Sequence, residues 1–308
     1  MNYRLGVAQP LKNAVPAIAA AQLDAAMILL RSADRDHDAI HAARRHFKRT
    51  RALLDLVRPM ASPKALETGR KNLRSAAQGL AASRDAHVAY AAAEALERKF
   101  DDPSLALVFD DLKSWLQARC DRIEETFSCV GVDDALSNLK EAKRSFSKLG
   151  LRQATMNKVF KSAADTYRRG RRAMRTALAS NDDEAMHAWR KQTQQHWRHM
   201  RLLRETWPKQ AKAHAAMARR LSGILGTHHD LAVLRQMIRT NREVFRTPNG
   251  VQMLCRCIEK RQASLERKAV LHGERLYAEK PKAFLKRLKA SRHNLEAAKA
   301  QHSIKAAA

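Results

Sequence analysis

His41-Ala42-Ala43-Arg44-Arg45-His46-Phe47-Lys48-Arg49-Thr50-Arg51 packs five cations and two histidines into eleven residues and contains no acid. On a helix advancing about 100° per residue the run sorts into two faces. With His41 as the origin, Arg44, Arg45, Lys48, Arg49 and Arg51 fall within an arc of roughly 160° centred on it. Ala43, Phe47, Thr50, Leu53, Leu54 and Val57 lie on the other side, the face expected to meet a bundle core. Solvated helix faces normally alternate signs, because Glu and Lys one turn apart stabilise a helix and like charges destabilise it. An uncompensated row of cations therefore points to an anion supplied from outside the chain.

The pattern recurs. His187 stands 146 positions after His41, and His187-Ala188-Trp189-Arg190-Lys191 repeats the spacing of His41, Arg44 and Arg45. His187, Arg190, Lys191, Gln194, Arg198 and Arg201 form one stripe, with Trp189, Thr193, Met200 and Leu203 opposite. A second anchor is Leu225-Gly226-Thr227-His228-His229-Asp230-Leu231-Ala232-Val233, which answers Leu80 to Val88 and places Asp230 145 positions after Asp85. Two anchors with almost one offset indicate an internal duplication. A further dense cationic cluster is Tyr167-Arg168-Arg169-Gly170-Arg171-Arg172.

Composition agrees with an all-α fold. Ala, Leu, Arg and Lys, all good helix formers, dominate, no alternating strand pattern or glycine-rich phosphate loop appears, and 45% hydrophobic residues supply a core. Prolines and caps divide the chain into roughly ten helices in two related, four-helix-type bundles. These form a single domain over 1–308: a first half over about 11–130, a second over about 131–275, and a C-terminal helix and tail over about 276–308. Pro63 is expected to start a helix, and Asn181-Asp182-Asp183-Glu184 to cap the second motif helix. Asp85 and Asp230 are expected to tie neighbouring helices, and His196 and His199 to lie at the surface or an interface.

With 59 Lys+Arg against 31 Asp+Glu the formal charge is +28. Such a chain attracts polyanions and releases their counterions on binding, so nucleic acid, anionic membrane and inorganic polyphosphate are the candidate partners. Aromatic residues make up 5%, which counts against the stacking platforms of single-strand binders. Cys120, Cys129, Cys255 and Cys257 lack zinc-type spacing and are expected to be reduced packing residues. The longest apolar run, Ala25 to Leu30, is short of a membrane span, and no signal-type core follows Met1; a soluble, cytoplasmic protein without a cofactor is expected.

On these motifs, together with Gly273-Glu274-Arg275-Leu276-Tyr277-Ala278-Glu279-Lys280-Pro281, the chain resembles the CHAD family, named for a conserved-histidine α-helical domain. The resemblance implies two helical bundles related by a pseudo-twofold axis around a basic central channel that binds inorganic polyphosphate. It also implies a location at polyphosphate or polyhydroxyalkanoate granules, with granule surface proteins as further partners; no catalysis is expected, because the motif helices offer neither metal-holding carboxylates nor an activated nucleophile. The residues expected to bind polyphosphate, from the matched motifs together with the stripe and cluster above, are His41, Arg44, Arg45, Lys48, Arg49, Arg51, Arg168, Arg169, Arg171, Arg172, His187, Arg190, Lys191, Arg198 and Arg201. Gln194 and Gln195 depart from the pattern, where the second motif usually carries more charge, and a weaker phosphate grip in the second half is expected. The main alternative is nonspecific nucleic-acid binding. A metal-dependent phosphohydrolase acting on polyphosphate is the weaker one; separately, His37-Asp38-Ala39-Ile40-His41 imitates a zinc-protease pair of histidines one turn apart, with a shorter Asp and no evident third ligand.

Overall fold

The computed structural model describes residues 3–6, 9–32, 37–80, 82–126, 129–180, 182–247 and 249–307; side chains at 37, 82–85, 124–130 and 295–307 lie outside the description. Among the described residues there are eleven α-helices and no strand. They are α1 (Leu11–Arg31), α2 (His37–Val57), α3 (Pro63–Gly79), α4 (Ala82–Phe100), α5 (Ala106–Thr126), α6 (Cys129–Ser147), α7 (Met156–Ser180), α8 (Asp183–Leu202), α9 (Pro208–Thr240), α10 (Gly250–Leu276) and α11 (Pro281–Ala307).

The helix starts follow the sequence signals. Pro63 and Pro208 open α3 and α9, where a missing N–H costs nothing because no partner lies upstream. Asp182 caps α8, its carboxylate accepting from the Ala185 amide at 3.3 Å, and Asp102 accepts from the Ser104 amide ahead of α5. The order of elements repeats: α1, α2 and α3 begin at Leu11, His37 and Pro63, and α7, α8 and α9 begin 145, 146 and 145 positions later at Met156, Asp183 and Pro208.

The helices share two cores. The larger gathers α1, α2, α3, α6, α7, α8, the first half of α9, the C-terminal part of α10 and α11. The smaller is built by α4, α5, the second half of α9 and α10. The 33-residue α9 joins them: Ala211, Ala218, Leu221 and Leu225 enter the first core, and Leu231, Leu234 and Ile238 the second. All six residues expected on the core face of α2 are buried, as are Trp189, Thr193, Met200 and Leu203 along α8.

The division between the halves differs from the one drawn at Gly131. That glycine lies inside α6, and α6 packs on α1 and α3. Phe146 seats against Gly69 of α3, and Lys143 reaches Asp24 of α1 at 2.6 Å. The chain turns instead after α6, where Gly150 has φ of 65°, a left-handed conformation that glycine adopts without strain. α11 packs on α7, so the C-terminal helix belongs to the second half's packing and is not an appended tail. α1 is long and apolar enough to cross a membrane by length and composition; its face containing Leu11, Val15, Leu23 and Leu30 is buried in the first core. Cys120, Cys255 and Cys257 are buried, and Cys129 falls outside the described side chains.

Candidate functional site

The two motif helices meet at their C-terminal parts and run in opposite directions there. His199 Nε2 lies 2.9 Å from the Ala52 carbonyl oxygen, and Gln195 Nε2 donates to Asp55 Oδ2 at 2.7 Å. Position numbers rise along α2 as they fall along α8, so the His41 and His187 ends point away from the crossing on opposite sides.

Cations from both helices collect beside the crossing. The Tyr3 ring, buried in the larger core, lies beneath the guanidinium of Arg49 from α2 at 5.9 Å and of Arg201 from α8 at 5.7 Å. Tyr3 Oη donates to the Arg49 carbonyl at 2.8 Å, and the Leu5 amide to the Leu202 carbonyl at 2.9 Å. These bonds tie the N-terminal segment across the end of α8. Arg198 lies over the Trp197 ring at 5.3 Å. Burial, reinforced by Arg49, Arg201 and Arg190 and opposed by Tyr3, pushes Arg198 down to about 10, and burial with Arg201 lowers Arg49. Burial is the larger cause in both, and the neighbouring arginines add to it because like charges disfavour the charged form.

The remaining residues of the first motif go elsewhere. Arg44 Nη1 donates to the carbonyls of Ala77 and Leu80, at 2.7 and 2.9 Å, at the end of α3. Arg51 Nη2 donates to Leu73 O at 3.3 Å, with burial and the neighbouring Arg70 and Arg74 lowering its pKa. Arg45 is exposed, and His41 and Lys48 are half-buried. His46, on the stripe's margin, has Nδ1 2.9 Å from the buried Gln22 of α1, and burial with Arg49 and Arg45 pushes it down to about 4.

In the second motif the two sequence anchors come into contact. The His187 and His229 rings stack at 3.9 Å and 19°. Arg190 lies against α9, its Nη2 3.5 Å from where a Cβ on Gly226 would stand. Burial, then His229, Lys191 and Arg190, push His187 down to about 4; burial, Arg190 and Lys191 lower His229. Lys191 is exposed and lines a mixed recess of about 310 Å³ with Arg169, Asp55, Asp165 and Gln195.

The arginine-rich stretch of α7 is divided between packing and surface. Tyr167 stacks on Phe284 of α11 at 4.4 Å and donates to the Glu279 carbonyl at 3.0 Å. A Cβ on Gly170 would stand 2.3 Å from Tyr277 Oη, so only glycine admits that tyrosine. Arg168 pairs with Asp165 at 2.8 Å, and Arg169 reaches the same carboxylate at 3.9 Å. Arg171 is half-buried and Arg172 exposed. Of this cluster, the two leading arginines thus share an acid one turn upstream that the sequence reading left out.

Sequence reasoning missed three cations beside Tyr3. Arg4, Arg204 and Lys212 line, with Arg49 and Arg201, a recess of about 280 Å³ that has no acidic lining residue. Arg204 extends the i, i+3 spacing from Arg198 and Arg201, and that is the one signal present. His196 and His199, expected at the surface or an interface, are both fully buried. His199 sits in the α2–α8 interface; His196 lies among Tyr167, His214 and Phe284, with neither ring nitrogen bonded. Asp85 falls outside the described side chains, as does His37 of the protease-like pair; among the described residues no three His, Cys, Asp or Glu side chains converge as metal ligands.

The family model described as the CHAD domain matches residues 17–239. The fold is similar to the crystal structure of the CHAD domain from the plant Ricinus communis, with a TM-score of 0.60 and 16% identity over 92% of this chain and 94% of that one. At that identity the likeness speaks for fold alone, and it extends the match beyond residue 239 to the closing helices. No curated protein matched the sequence. With the family model covering well over half of the chain and the all-helical fold agreeing, this protein belongs to the CHAD family.

Proposed function

We propose that the protein binds inorganic polyphosphate, without catalysing its turnover, through the cations that α2 and α8 bring together at their crossing. The observation that carries this reading is the convergence of Arg49, Arg198 and Arg201, from two helices, around Tyr3, where burial and the neighbouring arginines lower the pKa of Arg198 and Arg49. A linear polyanion supplies about one negative charge per unit, and guanidinium groups offer paired donors to its oxygens. Arg190 and Lys191 continue the row along α8. Attachment to polyphosphate or polyhydroxyalkanoate granules in the cytoplasm, with granule proteins as partners, belongs to the same proposal and is checked by imaging the tagged protein in cells with and without granules.

Competition titration at near-physiological salt tests the binding, with long-chain polyphosphate set against single- and double-stranded DNA. Polyphosphate is expected to win by orders of magnitude. The Arg49→Ala/Arg198→Ala double variant is expected to lose on the order of a hundredfold in polyphosphate affinity, as two charge-assisted contacts of about 1.5 kcal/mol each disappear. Even competition by DNA, lowered equally by the double variant, would show a diffuse basic field and sink the proposal.

A further inference from the structure

The row of cations along α8 ends beneath the N-terminal segment. Past Arg201 the helix stops at Leu202, and the N-terminal segment crosses it, held by the Leu5–Leu202 and Tyr3–Arg49 backbone bonds. The recess left there, about 280 Å³, has the buried Tyr3 ring in its wall and five cations around it: Arg4, Arg49, Arg201, Arg204 and Lys212. These come from five parts of the chain, namely the N-terminal segment, α2, the end of α8, the turn after it and the first turns of α9. Glu205, the adjacent acid, has Oε2 3.6 Å from where a Cβ on Gly6 would stand and is not among the lining residues.

Five positive charges around one small recess exceed what an internal polyphosphate unit, with about one charge, can neutralise. A terminal phosphoryl group differs in that it carries a second acidic oxygen, ionised near neutrality as in a phosphate monoester, and has only one neighbour, so it can enter a recess whose end the N-terminal segment crosses. We propose that this recess receives the terminal phosphoryl group of the chain, so that the protein captures polyphosphate ends, with the units behind the terminus lying along the Arg201, Arg198 and Arg190 row. This rests on the polyphosphate reading above. Tyr3 and Arg4 give the N-terminal segment a role that no helical periodicity announces.

Two preparations of long-chain polyphosphate decide it, one with free ends and one with both ends blocked as phosphoramidates, each titrated calorimetrically into the full chain, with tripolyphosphate as a short probe. Free-ended chains are expected to bind two protein molecules each whatever their length, and blocked chains to bind at least tenfold more weakly. Arg204→Ala/Lys212→Ala removes two exposed side chains and, with its circular dichroism spectrum expected to stay unchanged, is expected to weaken tripolyphosphate at least tenfold. Blocked chains binding as tightly as free ones, with the number of proteins bound rising in proportion to length, would overturn end capture and leave polyphosphate binding standing. Failure of every polyphosphate to bind would overturn both.

Discussion

α3 ends at Gly79 and α4 begins at Ala82, whereas α9 runs unbroken through the corresponding stretch, since Gly226 follows Leu80 by the same 146 positions that separate His187 from His41. The motif arginine follows the backbone. At the break, the last carbonyls of α3 lack a following turn to bond them, and Arg44 takes two of them, Ala77 and Leu80, on one nitrogen. In α9 the carbonyls are bonded by the continuing helix, and Arg190 lies against the Gly226 face instead, beside the stacked His187 and His229. One motif thus closes a helix end in the first half and joins a histidine-lined cluster in the second.

The halves also differ in buried histidine, and this gives the largest expected effect. The second half holds His196, His199 and His214, each almost fully buried. Burial drives His196 well below its ordinary value and brings His199 and His214 to about 4. A histidine kept neutral in the fold is protonated first in the unfolded chain. Its contribution is therefore complete above pH 6.5 and lost as pH falls from 6.5 towards 4. Each of the three costs up to roughly 1.4 kcal/mol per pH unit in that window. In the first half His46 shifts the same way but is partly exposed, so solvent screening reduces its share. Hydrogen exchange at pH 7.5 and 5, corrected for intrinsic rates, is expected to show α8 and α9 losing several kcal/mol of protection before α2 and α3 do. Equal loss in both halves would break the comparison.

A smaller effect sharpens it. Arg44→Ala leaves two helix-end carbonyls without their charged donor and is expected to lower stability by about 1.5–3 kcal/mol in urea unfolding. Arg44→Lys should recover part of this, since a point charge replaces the fork. Arg190→Ala is expected to fall below that range, because α9 has no break to close. Equal losses at the two positions would show that both arginines act alike.

Much of this architecture was legible in the sequence, because helix starts and helix faces are local properties. Pro63, Pro208 and Asp182 mark their own termini, and the 3.6-residue period separates Phe47 and Leu54 from Lys48 and Arg49. What the period cannot give is the element that lies opposite. It placed Arg44 on the cationic side correctly, yet the end of α3 meets that side, so the guanidinium serves carbonyls. Gly131 reads as a divider only if a helix avoids glycine; α6 tolerates it because Leu139 and Phe146 further along are fully buried. Arg4 and Lys212 enter the site through chain crossings that no spacing encodes. His196 looked polar enough for the surface, but the aromatic rings of α7, α9 and α11 enclose it.

The smallest effect concerns Gln195. With a glutamine where the second motif usually carries charge, the sequence gives reason to expect a weaker phosphate grip in that half. In the fold, however, Gln195 crosses to α2 and donates to Asp55, which also accepts from Arg58 at 2.8 Å and from Arg70. Burial raises Asp55, but the hydrogen bonds of Gln195 and Arg70 outweigh it and hold the carboxyl below its ordinary range. A cation introduced here would meet Asp55 before it met a ligand. Gln195→Arg is therefore expected to change polyphosphate affinity by less than about twofold, while Gln195→Ala costs roughly 0.5–1.5 kcal/mol of stability through one lost hydrogen bond. A tenfold gain in affinity for Gln195→Arg would return this position to the binding row, and the Asp55 side of the α2–α8 crossing would then face phosphate as well as the Tyr3 side.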